Sequence, residues 1–332
     1  MVRALLRLHM NESPYPPSAL AVEYARKYVE YMNIYDVEGL REELIVELEK
    51  YTNLPREHIE FFPGSSYILL LMVALAKAQN IEVVLPHPTF HALYPVLRSF
   101  NANYAYVKLT QRFELDKQVF LRSAENRLVY LANPNNPTGN LLVEDPSYIS
   151  KLAQVARYVF VDEAYYEFSG STVKDLVVEH ENVAVLRSLS KAFSLAGARF
   201  GYLLAGKRVK EHLNSLRIGF ETPIMTQAAA LGALRDRKYV EKIVEEVKST
   251  RDYVRRKLLE VGLWSPESRA NFILVDLGKP CREAWEKLSE HGILTLCLEL
   301  VKDLVDYGNY LRVTVGKPDD MNTFLEKILE VL

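Results

Sequence analysis

The segment Ser188–Tyr202 reads SLSKAFSLAGARFGY. It places Lys191 among hydroxyl-bearing and small residues, and Arg199 follows further along the same segment. A lysine amine can bond covalently to a carbonyl carbon as a Schiff base. Hydroxyls, backbone N–H groups and an arginine are groups that bind phosphate. The segment therefore predicts a site for a ligand that carries both a carbonyl and a phosphate.

Two upstream residues fit the same site, because Asn136 and Asp162 follow runs that predict strands. An acid can hold a pyridine nitrogen protonated, so that the ring accepts electrons. Ligands of parallel sheets bind at the carboxyl ends of strands, and Lys191 also follows a predicted strand. The combination predicts pyridoxal phosphate as cofactor. Taken singly, Lys191 is typical of a solvated lysine and Asp162 of a turn cap, but ionisable groups that gather in one pocket indicate a functional site.

The middle of the chain alternates short apolar runs with helical patterns. Predicted strands are Ile81–Leu85, Tyr104–Lys108, Arg127–Ala132, Tyr158–Val161, Val183–Arg187 and Phe200–Ala205. Such alternation predicts an α/β fold whose mostly parallel sheet is covered on both faces. After a long amphipathic helix over Lys238–Val261, three further runs predict a smaller α+β part, at Phe272–Leu277, Gly292–Leu296 and Tyr310–Val315. We expect residues 34–236 to form the large domain, and residues 1–33 with 237–332 to form the small one.

Composition disfavours several classes of protein. The 332 residues are 49% hydrophobic and 25% charged, with 41 basic and 43 acidic side chains and a net charge of −2. This balance gives no reason to expect nucleic acid or an anionic membrane as a partner. We find no apolar run long enough to span a membrane and no signal peptide in Met1–Met10, so we expect a cytoplasmic protein. Two cysteines, Cys281 and Cys297, fit a reducing compartment without a disulfide framework or metal site.

Two stretches outside the strands leave alternatives open. Residues 11–17 (NESPYPP) are extended because of three prolines, and we interpret them as a surface arm. Gly64-Ser65-Ser66 precedes an apolar helix, where free N–H groups can bind an anion. An ordinary helix cap explains these serines equally well.

The motifs together resemble the fold-type I pyridoxal-phosphate enzymes of the class I/II aminotransferases, and within them the histidinol-phosphate aminotransferase branch. The resemblance covers nearly the whole chain. It rests on five motifs in the family's order: 8–15 (LHMNESPY), 133–139 (NPNNPTG), 162–165 (DEAY), 188–202 and 311–316 (LRVTVG). It implies an enzyme that moves an amino group between an amino acid and a 2-oxo acid.

The resemblance also assigns roles to residues of this chain. Lys191 would hold the cofactor as a Schiff base and carry the α-proton, and Asp162 would pair with the ring nitrogen. Arg312 would grip a substrate carboxylate as a bidentate fork. Asn136 and Tyr165 would contact the ring oxygen. Phe90 would stack on the ring, at a position where the family usually has tyrosine. Tyr15 and Asn136 would contact the substrate. The phosphate would be held by Ser65, Ser66, Ser188, Ser190 and Arg199, with Tyr35 reaching in from a second subunit, which implies a homodimer with shared sites.

For several of these residues an ordinary structural role stays open: core packing for Phe90, an ion pair for Arg312, and packing for Tyr35 and Tyr15. The chain also departs from the branch, because residues 294–297 (LTLC) stand where an arginine usually helps to bind the substrate phosphate. We therefore expect α-amino acids, aromatic ones first, to outperform histidinol phosphate. Two alternatives remain, a lyase similar to threonine-phosphate decarboxylase and a non-catalytic regulator built on the same fold.

Overall fold

The computed structural model describes residues 5–332. Residues 1–4, which begin the predicted small domain and the stretch examined for a signal peptide, lie outside the described part. The strands are β1 (Leu6–Arg7), β2 (Ile59–Phe62), β3 (Val83–His87), β4 (Tyr104–Lys108), β5 (Leu128–Ala132), β6 (Tyr158–Asp162), β7 (Val183–Ser188), β8 (Gly201–Ala205), β9 (Phe272–Asp276), β10 (Ile293–Leu294), β11 (Leu296–Cys297) and β12 (Tyr310–Thr314).

The helices are distributed along the whole described chain, and short 3₁₀ turns lie between some of them. The α-helices are α1 (Ala19–Lys27), α2 (Leu40–Thr52), α3 (Ser65–Ala78), α4 (Leu93–Ser99), α5 (Lys117–Ser123), α6 (Pro146–Val155), α7 (Tyr166–Ser169), α8 (Leu176–Glu179), α9 (Lys207–Asn214), α10 (Ile224–Arg235), α11 (Arg237–Glu260), α12 (Arg282–Glu290) and α13 (Pro318–Val331). None of the helices in residues 5–332 combines the length and the apolar character needed to cross a bilayer.

A seven-stranded sheet forms the centre of the molecule, in the order β2-β8-β7-β6-β5-β3-β4. Strands β3 to β7 run parallel, and β8 is antiparallel to both of its neighbours. This confirms the predicted α/β fold with a mostly parallel sheet. The carboxyl ends of β5, β6 and β7 consequently lie side by side at one edge, where ligands of such sheets bind.

The sheet is apolar on both faces, as expected for parallel strands covered by helices. In β6, Tyr158 and Phe160 pack in a layer with residues of α3, α4 and α9, while Val159 and Val161 pack in the opposite layer with residues of α2, α5 and α6. Successive side chains of a strand point to opposite faces, so one apolar run supplies both layers. Because all four of its residues are apolar, the run YVFV at residues 158–161 predicted this strand.

A second, three-stranded antiparallel sheet follows α11, in the order β11-β12-β9. The single strand predicted over Gly292–Leu296 is wrong, because the chain divides there between two sheets. Strand β10 pairs in parallel with β1, whereas β11 pairs with β12. In the second pairing Leu296 stands directly opposite Arg312. Directly opposite residues share one face of a sheet, so Leu296 and Arg312 are neighbours.

The prediction for the cysteines is also wrong, since Cys281 and Cys297 are joined by a disulfide bond with a Cα–Cα distance of 5.6 Å. The bond connects the start of α12 to β11, and both cysteines are buried. Cysteines 16 residues apart in sequence gave no spacing motif. The long-range pairing of β11 with β12 brings them together. The disulfide thereby anchors the strand that lies beside Arg312.

Candidate active site

Three neighbouring strands bring the predicted residues to one edge of the central sheet. Ala132 at the end of β5 is opposite Asp162 at the end of β6, and Asp162 is in turn opposite Leu186 of β7. The loops that follow these strands carry Asn136, Tyr165 and Lys191. The predicted common pocket therefore corresponds to the observed placement of these residues.

Asp162 is buried at the end of β6. Its Oδ2 accepts a hydrogen bond from the Tyr130 hydroxyl at 2.9 Å, and its Oδ1 accepts one from the backbone N–H of Ala164 at 3.1 Å. Burial raises the pKa of Asp162 to about 6, against the opposing effects of these two donors and of Lys191. A buried carboxylate with such donors is suited to pair with a protonated ring nitrogen.

Lys191 projects into the site from the loop after β7. Its Nζ donates to the backbone carbonyl of Met10 at 3.3 Å and lies 5.9 Å from the centre of the Tyr165 ring. Burial, together with the nearby charges of Arg312 and Arg199, lowers the pKa of Lys191 to about 8. Only a neutral amine is nucleophilic, so this shift prepares Lys191 to bond to a carbonyl carbon near neutral pH.

A group of donors for an anion surrounds the guanidinium of Arg199. Its Nη2 donates to Ser66 Oγ at 2.9 Å and its Nη1 approaches Ser190 Oγ at 3.4 Å. Gly64 precedes the first residue of α3 with a φ of +90°, and a Cβ there would lie 2.6 Å from Arg199 Nη2. The helix N-terminus, two hydroxyls and a guanidinium thus form a cradle that a phosphate fits.

Arg312 of β12 lies beside Asn136 and is 4% exposed. Its Nη1 donates to Asn136 Oδ1 at 2.6 Å and its Nη2 donates to the His9 carbonyl at 2.6 Å. Its buried Nε has no hydrogen-bond partner in residues 5–332, and no carboxylate of that part forms an ion pair with it. Burial lowers the pKa of Arg312 to about 10. A buried, unpaired guanidinium is suited to an anionic ligand.

Other predicted residues take different positions. Asn136 Nδ2 donates to the Tyr165 hydroxyl at 3.3 Å, so these two lie together as predicted. Phe90 is half-buried and packs against the apolar layer of α3 and α4. The Tyr15 hydroxyl bonds to Glu246 of α11 rather than to another predicted site residue. Tyr35 is 82% exposed and its ring packs on Phe220, so it does not join the site within one chain.

Ser65 and Ser188 lie close in sequence to Ser66 and Ser190, the two serines that contact Arg199. Ser65 is the first residue of α3, and a Cβ at Gly201 would overlap its backbone nitrogen, so β8 and α3 approach closely there. Ser188 Oγ accepts a hydrogen bond from the Ser190 backbone N–H at 3.1 Å. It therefore shapes the loop that leads to Lys191.

The N-terminal arm is part of the site, so the interpretation of residues 11–17 as a surface arm is wrong at its first residue. Asn11 is 1% exposed, and its Nδ2 donates to the Tyr165 hydroxyl at 2.9 Å. Its backbone N–H donates to Thr314 Oγ1 at 2.9 Å. The arm is held by Tyr165 and Thr314, which are 154 and 303 positions away in sequence, and local composition does not reveal such contacts. The motif at 8–15 was the available signal.

Sequence reasoning also missed a buried ion pair beneath the site. Glu163 Oε2 lies 2.9 Å from Arg187 Nη2, and both side chains are 1% exposed. The Arg187 guanidinium also lies 3.5 Å from the centre of the Tyr166 ring. Glu163 follows Asp162, and Arg187 precedes Ser188, so this pair ties together the ends of β6 and β7. It thereby supports the loops that carry Asp162 and Lys191.

The chain belongs to the family described as aminotransferase class I and II, whose model matches residues 6–328. With the geometry above, this defines a pyridoxal-phosphate-dependent aminotransferase. Arg199 with its hydroxyl partners, the buried Asp162 and Lys191 fit such a cofactor.

Similar proteins carry a more specific name. The chain is 32% identical to a histidinol-phosphate aminotransferase of Sulfurisphaera tokodaii, over 98% of this chain and 90% of the relative. It is 33% identical to a histidinol-phosphate aminotransferase of Thermococcus gammatolerans, over 90% of this chain and 89% of that one. Among solved structures, the histidinol-phosphate aminotransferase of Sinorhizobium meliloti in complex with pyridoxal-5'-phosphate superposes with a TM-score of 0.87 at 24% identity, over 99% of this chain and 92% of that one. That structural likeness supports the fold.

Proposed function

We propose that this aminotransferase takes its amino group from α-amino acids with aromatic or other apolar side chains and passes it to a 2-oxo acid. The observation that carries this proposal is the state of Arg312, a buried guanidinium without an acidic partner in the described chain. A substrate carboxylate would supply the missing charge through two parallel hydrogen bonds. An anion of charge −1 matches one guanidinium.

The surroundings of Arg312 support an apolar substrate side chain. Leu296 stands directly opposite Arg312 in the β11–β12 pair and is half-buried. Two histidines lie near Arg312. Burial and the charge of Arg312 lower the pKa of His91 to about 4, and burial, with the charges of Arg7 and Arg312, lowers the pKa of His9, so both are neutral at pH 7. A phosphate dianion carries two negative charges. Arg312 alone would balance one of them. Losing one charge-assisted contact weakens a phosphorylated donor by about tenfold or more in kcat/KM.

Each residue of the site would have a distinct role in the transfer of the amino group. Bound pyridoxal phosphate supplies an electron-accepting ring that stabilises negative charge at the substrate α-carbon. Lys191 would hold the cofactor and then carry the α-proton, which its pKa of about 8 suits near neutral pH. Asp162 would keep the ring nitrogen protonated, and Asn136 and Tyr165 would hold the ring oxygen. The phosphate would be held by a cradle that Arg199 forms with Ser65, Ser66, Ser188 and Ser190.

Three further residues would complete the site. Phe90 would stack on the ring face, and Tyr15 would contact substrate. Tyr35 would reach the phosphate cradle of a second subunit, since its exposed ring packs on Phe220, which is itself 69% exposed. Contiguous exposed apolar side chains of this kind are typical of protein interfaces. We propose a homodimer with shared sites on this basis.

The remaining assignments are proposals as well. Residues 34–236 would form the large domain, with 1–33 and 237–332 as the small one. We propose a cytoplasmic enzyme of amino-acid biosynthesis. The disulfide does not oppose this location, because intracellular proteins of hyperthermophiles are rich in disulfides. The low Gln and Cys content with many Tyr, Glu and Arg residues favours a heat-tolerant source.

Histidinol phosphate is the second candidate donor, favoured by the names of the relatives at 32% and 33% identity. The test is kcat/KM for phenylalanine, tyrosine, glutamate, histidinol phosphate and phosphothreonine, with 2-oxoglutarate as acceptor. We expect phenylalanine and tyrosine to give the highest values. A clear preference for histidinol phosphate would overturn the proposed substrate class. Release of carbon dioxide from phosphothreonine would instead support the lyase alternative.

A further inference from the structure

Tyr130 is a buried tyrosine of the central sheet with one polar contact. It lies in β5 with 0% exposure, in the layer that also contains Phe160 and residues of α3 and α4. Its side chain shares a face with that of Ala132, which is opposite Asp162 in the β5–β6 pair. The hydroxyl therefore reaches Asp162 diagonally and donates to Oδ2 at 2.9 Å. It has no second hydrogen-bond partner in residues 5–332.

Packing alone does not require this hydroxyl. The ring of Tyr130 lies in a hydrophobic layer, and a phenylalanine ring would fill the same volume. Burying a hydroxyl costs free energy unless it forms a hydrogen bond. The one bond it forms ends on the acid of the active site. A hydroxyl placed there affects the chemistry of that acid.

We propose that Tyr130 is a positioning residue that fixes the Asp162 carboxylate and holds the shared proton on the cofactor's ring nitrogen. The inference rests on the proposed role of Asp162 and extends it to a residue outside the family motifs identified above. Oδ2 of the acid is oriented by Tyr130, and Oδ1 by the Ala164 N–H at 3.1 Å. Both donors favour the ionised acid.

The direction of the effect follows from the proton affinity of the carboxylate. Burial raises the pKa of Asp162, and Glu163 raises it further, while the donors and Lys191 oppose the rise. A proton between an acid and a ring nitrogen resides on the group with the higher affinity. By stabilising the carboxylate, Tyr130 lowers the proton affinity of the acid, so the ring nitrogen of bound cofactor would keep the proton. Loss of the hydroxyl would return the proton to the acid and weaken the electron-accepting ring.

The direct test is the pKa of Asp162 in the full-length chain freed of cofactor, measured by ¹³C NMR of aspartate carboxyl carbons and assigned with Asp162→Asn. Tyr130→Phe should raise this pKa by about one to two units, because one hydrogen bond to a charged acceptor is lost. Tyr158→Phe is the matched control. Tyr158 is also fully buried, one strand away, and its hydroxyl bonds to Gln79 at 3.0 Å. An unchanged pKa in Tyr130→Phe, or an equal rise in the control, would overturn the inference.

A double-mutant cycle on the loaded enzyme tests whether Tyr130 acts through Asp162. Tyr130→Phe should lower kcat by about tenfold in the wild-type background and by less than about twofold in the Asp162→Asn background, because coupled residues are not additive. Equal losses in both backgrounds would mean that the ring acts through packing, which contradicts the inference. Full turnover of Asp162→Asn alone would overturn the proposed role of Asp162, while the NMR result would still report the Tyr130–Asp162 bond.

Discussion

Leu296→Arg tests the proposed substrate class in the gain-of-function direction. Leu296 is directly opposite Arg312 in the antiparallel β11–β12 pair. Cβ atoms of directly opposite residues are about 5 Å apart, so the new guanidinium would lie beside that of Arg312. A phosphate dianion could then contact two cations instead of one. The added charge-assisted contact contributes about 1.5–3 kcal/mol, which corresponds to roughly 10- to 150-fold in kcat/KM.

The assay measures kcat/KM for histidinol phosphate and for phenylalanine, each with 2-oxoglutarate as acceptor. The result is the ratio of the value for histidinol phosphate to the value for phenylalanine. We expect the ratio to rise at least about tenfold in Leu296→Arg, since phenylalanine also loses an apolar neighbour. Leu294→Arg is the control, because Leu294 pairs with Arg7 in the other small sheet. Thermal unfolding establishes that both variants fold. An unchanged ratio in folded Leu296→Arg, or an equal rise in the control, would refute the reasoning.

Three further predictions concern the acid, the disulfide and the dimer. Asp162→Asn should keep the fold but lose most turnover, because an amide cannot hold the ring nitrogen protonated; near-wild-type kcat with cofactor bound would contradict this. Replacing Cys281 and Cys297 by serine should lower the free energy of unfolding by about 3 kcal/mol in urea titrations, since the bond closes a loop of 16 residues; no change would refute the estimate. Mixing Lys191→Ala and Tyr35→Ala chains should restore activity through one intact site per heterodimer, and no recovery after confirmed subunit exchange would count against shared sites.

Much of the fold was predictable because it depends on local pattern. Runs such as YVFV at 158–161 are apolar on every residue, which predicts a strand covered on both faces. The strand ends then indicated where Asn136, Asp162 and Lys191 would meet. These residues are close because parallel strands end at a common edge, and that rule needs no knowledge of the packing.

Contacts between distant parts of the chain were not predictable in the same way. Asn11 is buried because Thr314 and Tyr165 bind it, and the prolines nearby suggested exposure instead. Leu296 and Cys297 form a separate strand because β12 pairs with them, although the run from Gly292 reads as one strand. Tyr130 looked like any aromatic strand residue. Its hydroxyl acquires a role from the register of β5 against β6, which sequence alone does not give.

The most direct test of the account is the attachment site of the cofactor. Borohydride reduction of the loaded enzyme, followed by peptide mapping, should place the label on Lys191. Because the pKa of Lys191 is about 8 and its neutral form reacts, the rate of cofactor attachment to the cofactor-free chain should rise with pH through that value. Lys191→Ala should lose both the label and turnover. A label on another lysine, or no label, would contradict the assignment of this site.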